Sequence, residues 1–93
     1  MRISEELAKS ATAIITRSYG DGAKVWLFGS RANDDKRGGD VDLFVEASPG
    51  DIMAAMRCKA DLADLFDLQV DLIVGDGSEP IHRIAKQTGV RLK

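Results

Sequence analysis

The sequence has little of what staples or punctuates a small protein. It contains one cysteine, two prolines, one histidine, one tryptophan and one tyrosine in 93 residues. A single cysteine, Cys58, forms no internal disulfide, which points to a reducing, cytoplasmic setting. One histidine and one cysteine leave no zinc site. No stretch approaches the ~20 consecutive apolar residues of a bilayer-spanning helix. Met1 to Glu6 carries no apolar run, so no secretory signal is expected and no membrane role follows. There is no excess of charge of one sign either: 13 basic against 15 acidic residues give a net charge of −2. Without a basic stripe, a duplex nucleic acid is not the expected partner. A small anionic substrate stays open, because a bound cation supplies positive charge locally.

What is present reads as one domain over residues 1–93, with 44% apolar and 30% charged residues. A helix is expected over about 4–18. Ser4 is its N-cap, Glu5 and Glu6 sit in its first turn, and Leu7, Ala11, Ile14 and Ile15 form its stripe. Tyr19-Gly20-Asp21-Gly22 ends it. A strand follows from Ala23 to Phe28, its continuous Val25-Trp26-Leu27-Phe28 run marking it as central. Residues 29–39 read as a loop, and Asp40 to Glu46 as a second strand. Ser48-Pro49 is expected to open the next helix, with Ile52, Ala55, Met56, Ala63 and Phe66 as its buried stripe. Gln69 to Val74 gives a third strand and Gly75-Asp76-Gly77 a turn. A short helix from Pro80 should bury Ile81, Ile84 and Ala85 and end at Gly89, and Val90-Arg91-Leu92 can add a last strand. Trp26, Met53 and Met56 are read as core and His82 as a solvated helix residue. The order predicts an α+β fold, a small mixed sheet with its helices packed on one face.

Three aspartates and one glycine-serine pair carry the chemistry. Asp40 and Asp42, at i and i+2 of a strand, lie on one side, roughly 7 Å apart along the chain. Both can converge on a hard cation such as Mg²⁺, which takes oxygen ligands from one or two carboxylates and substrate phosphates. Asp71 stands within the apolar run Val70 to Val74. A lone charge buried there would cost several kcal/mol, so Asp71 is expected beside Asp40 and Asp42, sharing two Mg²⁺. Such a trio suits in-line displacement at phosphorus. Gly29-Ser30 follows directly on the first strand, where the glycine permits close approach of backbone to a phosphate and the serine adds a hydroxyl. Arg31 can pair with a phosphate oxygen. The bland alternative is a polar hairpin loop with solvated aspartates. Each residue alone fits it, and the combination does not. A serine-nucleophile elbow is excluded by Ala32, where that pattern needs glycine.

The run Phe28-Gly29-Ser30-Arg31-Ala32, followed after Gly39 by Asp40-Val41-Asp42-Leu43, resembles the signature of the DNA polymerase β-like nucleotidyltransferase superfamily. Within it the short chain is similar to the minimal nucleotidyltransferase group, and Val70-Asp71-Leu72 and the segment from Pro80 to Val90 extend the match over nearly the whole length. The resemblance implies that Gly29 and Ser30 hold a nucleoside triphosphate. It implies that Asp40 and Asp42 bind the metals, and that Asp71 is a metal ligand or base. Many minimal members are antitoxins encoded beside a helical HEPN-domain protein, and the match implies transfer of AMP from ATP onto such a partner. Two other functions compete: a non-catalytic module that neutralises a HEPN-type partner by occlusion, and antibiotic modification, which in similar enzymes needs a second, drug-binding domain.

Overall fold

A computed structural model describes residues 4–29 and 41–93. The expected element order is present. Helix α1 spans Glu5–Tyr19, and strands β1 and β2 span Lys24–Phe28 and Val41–Glu46. Helix α2 covers Ile52–Phe66, β3 Val70–Gly75, α3 Pro80–Thr88 and β4 Val90–Arg91. Ser4 caps α1 as anticipated, its hydroxyl accepting from the Leu7 N–H at 3.1 Å. Helix α2 starts later than expected. Asp51, not Ser48, is its N-cap and accepts from the Met53 N–H at 3.2 Å.

The sheet order is β3-β2-β1-β4. Strand β1 runs antiparallel to β2 and to β4, and β2 pairs in parallel with β3. The parallel pair needs a crossover, and α2 provides it. A mixed sheet in an α+β fold is therefore what the chain forms.

The two central strands, β1 and β2, pack on both faces against different partners. On one face Val25, Leu27, Val41, Leu43, Val45 and Val70 meet Ala8, Ala11 and Ile15 of α1 and Cys58 and Leu62 of α2. On the other, Trp26, Phe28 and Phe44 pack with Ala85 of α3. The sequence suggests helices on one face only, and the structure divides them between two. The two long ones cover one side, and the short α3 covers part of the other. The large rings at alternate positions of β1 and β2 are the reason: they make the second face apolar too, and an apolar face requires cover.

Two helical stripes also differ from expectation. In α2, Cys58 and Leu62 are buried while Ile52 is 73% and Met56 61% exposed, and Met53 is exposed as well. In α3, Ala85 is buried with His82, whereas Ile81 and Ile84 face outward. Trp26 is buried as read. Burial also pushes the Cys58 thiol up from its ordinary pKa, partly opposed by a hydrogen bond with the Ser18 side chain, so it behaves as a small core residue. Among the described residues no helix is long and apolar enough to cross a membrane.

Candidate functional site

The end of the second sheet face where β1 finishes and β2 begins holds the candidate site. Strand β1 ends at Phe28, whose cross-strand partner on β2 is Asp42. Gly29 then turns out of the strand with φ +73°, in the left-handed region that glycine adopts without strain. A Cβ at Gly29 would collide with Oδ2 of Asp42. The carboxylate therefore lies directly against the glycine backbone. The hairpin register and this missing side chain together set where the Asp42 carboxylate sits.

Asp71 reaches the same place from the other side. In the parallel register Asp42 is level with Asp71, as Phe44 is with Ile73. Adjacent strands lie about 4.8 Å apart, so the two side chains leave the sheet on one face from neighbouring strands. Asp42 is half-buried and Asp71 exposed. Asp71 is not a buried charge in need of a counter-ion, since the β3 edge leaves it open to water. Its placement beside Asp42 follows from strand register instead.

Of the residues singled out in the sequence, Gly29, Asp42 and Asp71 are brought together. Ser30, Arg31 and Asp40 lie outside the described residues. Among the described residues no cluster of three or more His, Cys, Asp or Glu side chains is arranged to hold a metal. The pair Asp42 and Asp71 offers only hard oxygen donors, and the glycine cradle beside them keeps bulk away from Asp42. That donor set fits Mg²⁺ completed by phosphate oxygens and water.

The family model for polymerase beta nucleotidyltransferases matches residues 12–91. The chain belongs to that family. The match takes in β1, β2 and β3 and so all three site residues described above. Solved nucleotidyltransferase structures share the fold. A protein assigned as a minimal nucleotidyltransferase superposes with a TM-score of 0.72 at 24% identity, covering 95% of this chain and 95% of that one. A toxin–antitoxin complex with AMP-PNP gives 0.73 at 21%, covering 98% of this chain and 73% of that one. The MntA–HepT toxin–antitoxin gives 0.69 at 19%, covering 97% and 72%. No curated protein sequence is significantly similar to this chain.

Sequence reasoning missed one built feature on the same nucleotidyltransferase face, at its far end. His82 is 2% exposed. Its ring stacks on Phe44, centroids 4.7 Å apart at 17°, and Phe44 stacks in turn on Trp26 at 5.6 Å. Nδ1 accepts from the Glu79 N–H at 3.3 Å, so Nε2 carries the proton and faces the Glu79 carboxylate at 3.3 Å. The ring fits because position 75 of the neighbouring strand is glycine; a Cβ there would clash with it. The signal available in the sequence was the spacing of His82 and Ala85, three residues apart on one helical face.

Proposed function

We propose that the chain transfers a nucleoside monophosphate, AMP from ATP, onto a hydroxyl of a partner protein, and that it acts in the cytoplasm as the antitoxin of a HEPN-type toxin. The observation that carries this reading is the register match of Asp42 with Asp71 beside the Gly29 cradle, in a chain of the nucleotidyltransferase family. The choice of ATP and of a toxin partner is supported by fold neighbours, one bound to AMP-PNP and one an MntA–HepT toxin–antitoxin.

Asp40, Asp42 and Asp71 are the residues that would hold two Mg²⁺. Bound there, Mg²⁺ would neutralise phosphate charge and favour the ionised acceptor hydroxyl. Gly29 with Ser30 would receive the triphosphate, and Arg31 would pair with one of its oxygens. The acceptor oxygen forms a bond to the α-phosphorus as the bond to the bridging oxygen of the β-phosphate breaks. Pyrophosphate leaves, and the hydroxyl proton passes to Asp71, which is open to water and can release it.

The test supplies purified chain with Mg²⁺, labelled ATP and the helical protein encoded beside it. Label is expected on that neighbour with the native chain and not with Asp42→Asn. Equal absence of label from both would sink the transfer reading. Retained neutralisation by Asp42→Asn in cells would favour simple occlusion of the partner.

A further inference from the structure

The edge of the sheet next to Asp71 carries hydrogen-bonding groups that the fold does not use. Strand β3 is the edge strand. Its inner side is anchored to β2 by Val41 N–H to Gln69 C=O at 2.9 Å and Ala47 N–H to Gly75 C=O at 3.0 Å. A parallel ladder alternates, so positions 69, 71, 73 and 75 bond inward. Val70, Leu72 and Val74 then send their N–H and C=O groups outward. Among the described residues nothing bonds to them there. Exposed edges are usually blunted by lysine, proline or a bulge. The β3 sequence Val-Asp-Leu-Ile-Val-Gly has none of these, and its single charge is Asp71, on the catalytic face.

Beside this edge, on the helix face, are two adjoining hollows. One of about 390 Å³ is lined by Met56, Ala60 and Val70. The other, about 150 Å³, is lined by Met56, Leu72 and Val74. They follow one another along β3 at the two-residue repeat of a strand. Met56 and Lys59 border both; methionine adapts its shape to what it meets, and a lysine stem can cover apolar surface while its charge stays in water.

We infer that β3 takes up an extended segment of the acceptor protein as an added strand, and that this pairing presents the acceptor hydroxyl to Asp71. The inference rests on the transfer reading above for its choice of occupant. Main-chain bonds to Val70, Leu72 and Val74 supply affinity, and alternate apolar side chains fill the two hollows. The intervening side chains then fall on the opposite face. A tyrosine, serine or threonine at that position stands next to Asp71, one strand spacing of about 4.8 Å away. The acceptor class is therefore an extended apolar–hydroxyl–apolar segment, not a helix.

The probe is a pentapeptide, acetyl-Lys-Val-Tyr-Val-Lys-amide, titrated into ¹⁵N-labelled full chain without nucleotide or metal. The Leu72 and Val74 amides are expected to shift and to exchange more slowly. Methylating one alternate set of peptide amides should abolish the effect, and methylating the other set should not. Ala60→Arg, which fills the larger hollow from an exposed helix position, should weaken peptide binding about tenfold. Three results would overturn the inference: no response at Leu72 and Val74 at millimolar peptide, a response without two-residue periodicity, or amides protected before peptide is added in a concentration-dependent way. The last would mean that a second copy of the chain covers the edge. Because binding is read without ATP, peptide bound but never labelled supports the strand site and counts against transfer. A labelled partner protein with no binding at the edge does the reverse.

Discussion

At opposite ends of one sheet face, a glycine makes room for a polar side chain from a neighbouring element. Gly29 admits the Asp42 carboxylate, and Gly75 admits the His82 ring. The outcomes differ because of what lies above. Over Gly75, α3 closes the face: His82 stacks on Phe44, and Lys86 reaches Glu46 at 2.7 Å and the Trp26 ring at 5.3 Å. Near Gly29 no such cover is described, and Asp71 is open to water. The same device therefore secures packing at one end and leaves a carboxylate accessible at the other. A shared sheet face is not a shared role.

Substitutions at the two ends should separate along that line. The largest effect is expected from Asp42→Asn, with transfer falling on the order of a thousandfold while thermal unfolding barely moves. An equal loss of folding stability would mean that Asp42 serves structure first. Next is Gly29→Ala, which puts a Cβ against Asp42 and strains a positive φ. Transfer should drop about a hundredfold, with about 1 kcal/mol of stability lost in denaturant titration. Gly75→Val should show the opposite balance. It expels the His82 ring and costs about 1–3 kcal/mol, while transfer per folded molecule stays near native.

Smaller effects should come from the closed end's surface. Removing the Lys86 ion pair, itself partly exposed, by Lys86→Ala should cost no more than about 1 kcal/mol. The last effect is on pH dependence. The Ser78 hydroxyl, then the Ser78 N–H, hold the Asp76 carboxyl below its usual range. A lowered folded-state pKa means that this stabilisation is present above the unfolded value and fades as pH falls through the folded one. Asp76→Asn should therefore flatten the stability profile slightly below about pH 4, as read by urea midpoints across an acid series.

The sequence made the strands legible because their periodicity and flanking glycines agree with the sheet that forms. It also marked Asp42 and Asp71 for one site, although by a partly mistaken route. The apolar run suggests desolvation as the reason for Asp71, whereas strand register is what places it beside Asp42. The helices were less legible where apolar residues exceed what one face can bury. Helix α3 offers Ile81, Ile84, Ala85 and His82. The choice among them is made by tertiary features, a flat glycine on β3 and an aromatic ring on β2. Helix α2 borders the open edge of the sheet, so Ile52 and Met56 extend its apolar arc past the core. Local pattern fixes that an amphipathic helix forms, and packing decides which of its apolar residues go inside.

The central claim is that Asp42 and Asp71, made neighbours by parallel register, act on one cation-dependent site. Its most direct test is a double-mutant cycle on Mn²⁺ affinity, read by paramagnetic resonance with a non-hydrolysable ATP analogue bound. Asp42→Asn and Asp71→Asn should each weaken Mn²⁺ binding at least about tenfold, and the double variant should be little worse than the poorer single one. Native affinity in either single variant, or fully additive losses, would contradict the account.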